Sequence, residues 1–292
     1  MDALLLISFG GPEGPEDVMP FLENVTRGRN VPRERLEEVA EHYHLFGGVS
    51  PINELCRELK DAIGKLVDVP VYWGNRNWPP YLEDTVAQMK EDGVRSAAAF
   101  VTSAYSGYSS SGQYLEDIAR ARAAVPGAPE ITKLPVYCLE PGFLEPFAAR
   151  TREALAQAPG ARLVFTAHSV PLAQPGREDY VRELEEAARR VHAASGSDQP
   201  YDLVYQSRSG PPSQPWLEPD VLDHLRHLHA EGVERVALVP IGFVSDHMEV
   251  KFDLDVEARQ TAEELGMTLV RASTPGAALA PLARDLFERA RA

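Results

Sequence analysis

Short apolar runs alternate with longer amphipathic stretches along this chain, and that alternation limits the fold more than any other feature. Strand-type runs are expected at about residues 3–9, 70–74, 97–102, 131–137, 162–167, 201–206, 235–241 and 267–271. Helical stretches fall between them, for example at 81–91, 178–193 and 218–230. A strand that returns through a helix lies parallel to its predecessor, and such sheets are covered on both faces. Eight strands divide naturally into two sets of four.

The two sets also resemble each other. Glu91-Asp-Gly-Val-Arg-Ser-Ala-Ala-Ala-Phe-Val-Thr-Ser103 runs alongside Ala230-Glu-Gly-Val-Glu-Arg-Val-Ala-Leu-Val-Pro-Ile-Gly242. Leu6-Ile-Ser-Phe-Gly-Gly-Pro12 can be laid over Phe165-Thr-Ala-His-Ser-Val-Pro171, which puts Phe9 opposite His168. Any βα units look somewhat alike, and that plainer reading stays open on this similarity alone. The expected fold class is α/β, with two similar Rossmann-like domains facing each other across a cleft. Each would be a parallel four-stranded sheet flanked by helices. The boundary is expected near Pro141-Gly142, giving domains 1–141 and 142–292. The last helix, 277–291, is a candidate to cross back onto the first domain.

A formal net charge of −15 argues against a nucleic-acid surface and disfavours adhesion to anionic lipid. Arg27, Arg29, Arg33 and Arg35 form a local basic cluster against that background. No apolar run approaches the ~20 residues needed to span a bilayer. Met-Asp-Ala-Leu-Leu-Leu-Ile-Ser at the N-terminus lacks a basic leader segment and reads as the first strand. Two cysteines, Cys56 and Cys138, fit a reduced cytoplasmic setting. They cannot supply the four ligands of an ordinary iron–sulfur cluster, so none is expected.

Two segments carry chemistry. Leu163-Val-Phe-Thr-Ala-His-Ser-Val-Pro171 and Leu238-Val-Pro-Ile-Gly-Phe-Val-Ser-Asp-His-Met-Glu249 each run from a strand into a turn. The turns carry His168 in the first, and His247 and Glu249 in the second. Strand ends of a parallel sheet line a ligand crevice. A histidine and a carboxylate meeting there can take protons or hold a divalent metal. Plainer readings compete. A strand-end histidine often bonds only to backbone. Asp246-His-Met-Glu249 also has the form of a helix capping box. Glu249, Asp253 and Glu257 recur at i, i+4 and i+8, as a solvated acidic face would, although like charges at that spacing repel by about 0.2–0.5 kcal/mol per pair. Gly10-Gly11-Pro12 lacks both the dinucleotide fingerprint and the phosphate-loop lysine.

Ala167-His-Ser-Val-Pro171 and Gly242-Phe-Val-Ser-Asp-His-Met-Glu249 resemble the two signature motifs of the ferrochelatases. Phe46-Gly-Gly-Val-Ser-Pro51, Thr102-Ser-Ala-Tyr-Ser-Gly-Tyr108, and Tyr205-Gln-Ser207 with Pro215-Trp-Leu217 follow in the family's order. The resemblance covers nearly the whole chain, in the style of actinobacterial coproporphyrin III ferrochelatases. It implies insertion of Fe²⁺, as substrate, into a porphyrin during haem synthesis, with His168 and Glu249 as catalytic and metal-binding residues. Asp253 and Glu257 would continue an acidic path, and His247 would support Glu249 by hydrogen bonding. Phe9, Tyr43, Ser50, Arg76, Tyr105 and Tyr114 would meet the porphyrin, with Arg27 and Arg29 as further cations for propionates. Some relatives carry a tyrosine at the position of Phe9 that can ligate product iron; phenylalanine cannot. Many relatives carry a [2Fe–2S] cluster whose cysteines this chain lacks. A monomer is expected, with porphyrin and Fe²⁺ as its small-molecule partners. The alternatives are a protoporphyrin IX ferrochelatase, a cobalt or nickel chelatase, and a haem or porphyrin carrier without turnover.

Overall fold

A computed structural model describes residues 1–210 and 213–292. Its strands are β1 (Ala3–Ser8), β2 (Val71–Asn75), β3 (Ser96–Val101), β4 (Glu130–Lys133), β5 (Arg162–His168), β6 (Tyr201–Gln206), β7 (Arg235–Val239) and β8 (Thr268–Arg271). They form two parallel sheets, ordered β2-β1-β3-β4 and β6-β5-β7-β8. The order is the same in both. β1 and β5 hold equivalent inner places, as do β3 and β7, and those are the pairs that the sequence overlay matched. Two strands stop earlier than their apolar runs. β4 ends at Lys133 and β7 at Val239, each close before a proline, Pro135 and Pro240. Proline has no N–H to give to the ladder.

Side chains alternate between the faces of each strand. Leu4, Leu6, Ala98 and Phe100 of the first sheet share one core with Leu163, Phe165, Ala237 and Val239 of the second. Helices Ile52–Gly64, Pro141–Gln157 and Arg177–Ser195 contribute Leu59, Phe143, Phe147 and Leu184 to it. The opposite faces pack separately. Leu5 and Ile7 meet Val86, Met89 and Ile118, while Val164 and Leu238 meet Leu225, Leu228 and Ala258. The two sheets therefore share their interior instead of closing independently.

Specific contacts tie the halves together beside the strand ends. Tyr105 is buried, and its hydroxyl donates to the Ile241 carbonyl at 2.9 Å. Ser106 donates its N–H and its hydroxyl to Glu183 at 2.7 and 2.6 Å. Gly176 passes so close that a β-carbon there would lie 3.0 Å from the Gly107 α-carbon, and both have positive φ. The last helix, Ala280–Arg291, packs on Ile52–Gly64, and Arg291 bonds Asp68 at 2.6 Å. Among the described residues no helix is long and apolar enough to cross a membrane.

Candidate active site

His168 is the last residue of β5, paired with Gln206 of β6. Its Nδ1–H donates to the Ser169 carbonyl, and its own carbonyl accepts from the Tyr180 hydroxyl at 3.0 Å. These bonds fix the ring and leave Nε2 free to act. Nε2 lies 3.6 Å from Oε2 of Glu249. The backbone reading of His168 is thus half right: backbone holds one nitrogen so that the other faces a carboxylate. The two signature motifs also touch directly. Gly242 donates its N–H to the Thr166 carbonyl, and a β-carbon there would lie 2.7 Å from that of Ala167. Only glycine lets the second turn settle this close to the strand that carries His168.

Glu249 stands at the start of a helix that opens over Met248–Val250, runs as a π-helix over Lys251–Glu257 and returns to α form over Ala258–Glu264. No capping box forms, because Asp246 bonds Arg271 and Thr274 and makes no side-chain cap. In an α-helix, residues i, i+4 and i+8 drift by about 40° per step. The wider π turn, bonded i to i+5, changes that spacing, and Asp253 lies within electrostatic reach of both Glu249 and Glu257. Asp253 accepts from the Ser207 hydroxyl and from Nε2 of Gln206, the latter at 3.2 Å. His247 approaches Glu249 only to 4.0 Å, so it neighbours that carboxylate without the hydrogen bond expected of it. Its ring packs on the edge of Phe243 at 5.1 Å.

The electrostatics separate these groups. Burial alone would lower the His168 value, but the Glu249 carboxylate raises it to about 9. Burial would raise Glu249, yet the His168 ring, and then His247, hold it at about 2. Both side chains open onto the cleft while its walls keep them deep in protein. Asp253 is pushed up to about 7, first by burial and then by Glu249 and Glu257, against the pull of Ser207 and Gln206. Glu257 is raised by burial and by Asp220. His247 is lowered, chiefly by burial. Among the described residues no three of His, Cys, Asp and Glu converge as a metal cage. His168 and Glu249 are the closest His–carboxylate approach in the cleft, and two donors leave most of an ion's coordination open to other ligands.

The residues expected at the porphyrin fare differently. Phe9, just beyond β1, is 37% exposed and packs on the edge of Phe21. Tyr43, Ser50, Tyr105 and Tyr114 are all buried. Ser50 is locked against Gly11, and Tyr105 belongs to the contact between the halves. Arg76 is already partnered. Its Nε pairs with Asp117, its Nη2 bonds Gln113 at 3.2 Å, and its guanidinium lies 4.8 Å from the Tyr114 ring centre. Only 13% of its side chain is exposed. Its charge is shared with Asp117 in this structure. Arg27 and Arg29 are exposed on the turn after helix Val18–Val25, whereas Arg33 and Arg35 pair with Glu37 and Glu38.

Some contacts at the site carried no sequence signal. Helices Val18–Val25 and Arg33–His44 of the first half lean on the π-helix: the His42 and Phe252 rings stack at 3.6 Å, and Met248 packs with Phe21 and Tyr43. Gln206 and Ser207 were visible only as part of a motif, without a role, and reach Asp253 through the strand end they occupy.

Paired parallel sheets of identical order, with a histidine and a line of carboxylates at the strand ends between them, define a two-lobed chelatase. Solved structures agree on the fold. SirB from Bacillus subtilis with Fe³⁺ superposes with a TM-score of 0.60 at 13% identity, over 99% of this chain and 94% of that one. CbiX, described as the terminal enzyme of sirohaem biosynthesis in denitrifying bacteria, gives 0.56 at 14% identity, over 99% of both chains. The ferrochelatase family model matches residues 1–281. A coproporphyrin III ferrochelatase of Mycobacterium avium is 59% identical over 99% of this chain and 88% of its own length. One from Nocardia farcinica is 57% identical over 94% and 84%. This chain belongs to the ferrochelatase family and is an enzyme of the porphyrin metal-chelatase class.

Proposed function

We propose that this enzyme inserts Fe²⁺ into coproporphyrin III, with His168 and Glu249 at the point of insertion. The observation that carries the site assignment is the 3.6 Å approach of His168 Nε2 to Glu249 at the strand ends. The choice of porphyrin is supported by the relatives of 57–59% identity that bear that activity in their names.

The reaction exchanges one divalent ion for two pyrrole protons, so charge balances when both protons leave. With a value of about 9, His168 rests as a cation against Glu249. An incoming Fe²⁺ competes for Glu249 and repels that proton. The freed Nε2 is then a base beside the macrocycle, and can also ligate the ion in transit. Asp253, titrating near 7, and the raised Glu257 continue the line outward as proton acceptors. Metal and protons thus travel the same acidic row in opposite directions. Phe9 offers the porphyrin an apolar face and no axial ligand. The protein needs no resident cofactor: Fe²⁺ is substrate, and Cys56 and Cys138 are buried in the shared core. We place the domain boundary at the start of helix Pro141–Gln157.

Anaerobic spectrophotometry with Fe²⁺ tests the reading, comparing coproporphyrin III with protoporphyrin IX. Faster turnover of the four-propionate substrate is expected. Preference for protoporphyrin IX would transfer the assignment to that substrate. Tight haem retention without turnover on either would make the protein a carrier.

A further inference from the structure

Arg271 is the last residue of β8, held in register beside Leu238 of β7. Its side chain is almost wholly buried and uses all five N–H donors of the guanidinium. Nε and Nη2 reach Asp255 at 2.6 and 2.9 Å. Nη1 and Nη2 reach Asp246 at 3.2 and 3.0 Å, and Nη1 also meets the Ala272 carbonyl at 3.4 Å. Thr274 adds a bond to Asp246 at 3.0 Å, and Lys251 pairs with Asp255 at 3.1 Å. One rigid fork on the sheet edge therefore grips two carboxylates at once.

Their places in the chain are what matter. Asp246 precedes the helix that carries Glu249, and Asp255 lies inside its π segment. Residues two apart do not share a helix face. Asp255 therefore points away from the row to which its neighbours Asp253 and Glu257 belong. A π turn is rare and needs outside support to persist. If the segment relaxed to α form, the angular places of Asp253 and Glu257 relative to Glu249 would change. The like charges of the row would not oppose a change that separates them. A hold on the far face would, and Arg271 is the group from outside the helix bound there, beside Lys251 of the helix itself.

We propose that Arg271 is a positioning residue for metal delivery, which holds the π form of this helix by gripping Asp246 and Asp255 and so keeps Glu249, Asp253 and Glu257 in one row. The proposal rests on reading that row as the metal path. Arg271 does not touch substrate; it acts through the backbone that it clamps.

The test uses the full-length enzyme under anaerobic conditions. Asp255→Asn loosens the clamp on the π segment while Arg271 keeps Asp246, so no buried charge is left alone. We expect its KM for Fe²⁺ to rise about ten-fold or more, since misplacement by about 1 Å is costly. Coproporphyrin III affinity, read by fluorescence quenching, should stay within about two-fold. Arg271→Lys should reproduce most of the defect, because an ammonium cannot fork onto two carboxylates. An Asp255→Asn enzyme with both KM values near wild type would overturn the proposal. So would equal loss for metal and porphyrin together with a lower melting temperature, the mark of a merely structural brace. Glu249→Gln serves as the control: if it is inactive while Asp255→Asn is normal, the clamp fails and the metal path stands. A fully active Glu249→Gln enzyme would remove both.

Discussion

Arg76 and His168 illustrate how a side chain's partner decides its work. Arg76 lies under Phe9 and Tyr114 with its charge committed to Asp117, itself 7% exposed. Removing one partner of a buried pair leaves the other uncompensated, typically at about 3–5 kcal/mol. Asp117 keeps a second partner in Arg120 at 2.6 Å, so Arg76→Ala is expected to lower unfolding free energy in urea titrations by less than that amount. It should leave the salt dependence of porphyrin use unchanged, where a rim cation would make it flatter. His168 offers a pH test. Its folded value of about 9 lies above its ordinary 6.5, so the stabilisation from Glu249 is full below about 6.5 and fades as pH rises through about 9. Metal binding needs the neutral ring and runs the other way. Zinc affinity measured by calorimetry should therefore strengthen across that window, and His168→Ala should flatten the trend. The motifs in the sequence already pointed to His168 and Glu249. The Arg76 partner was not legible, since Asp117 is 41 residues away and follows no periodic relation.

At the level of elements, the helix after Glu249 departs most from what the sequence allows one to read. Lys-Phe-Asp-Leu-Asp-Val-Glu fits an ordinary α period, and its acidic spacing suits a solvated face equally well. The π segment is in contact with groups far along the chain: Arg271 at Asp255, and His42 stacked on Phe252. Two strand ends were also misread: the expected runs 131–137 and 235–241 passed through Pro135 and Pro240, where the strands have already stopped. The glycine in the second motif has a cause visible only in three dimensions. Gly242→Ala would drive a methyl group against Ala167 and push the second turn off β5. Overpacking of this kind costs about 1–3 kcal/mol. The variant should melt earlier, and should lose more turnover than porphyrin binding, because the displaced turn leads to Glu249.

Across the whole molecule, repeat and topology were legible, but the shared interior was not. Leu4-Leu5-Leu6-Ile7 is apolar at every position, as expected of a strand covered on both faces. Nothing in that run says that Leu4 and Leu6 join the large core that continues into the second sheet while Leu5 and Ile7 pack in a separate one. The consequence is measurable. Residues 1–141 expressed alone would lose the last helix, which packs on Ile52–Gly64 and on β3, and should show no cooperative melt by circular dichroism. A sharp transition there would mean that the half closes its own core. The purified enzyme should be colourless apart from bound porphyrin. Iron with stoichiometric inorganic sulfide would require cluster ligands beyond Cys56 and Cys138.

The measurement that bears most directly on the mechanism is the anaerobic rate of Fe²⁺ insertion into coproporphyrin III by His168→Ala. Porphyrin binding and the melting curve should be monitored in parallel. With His168 as the base beside Glu249, turnover should fall by about 10²–10⁴-fold while the variant stays folded and still binds porphyrin. A folded variant that turns over near the wild-type rate would contradict the assignment of the insertion site.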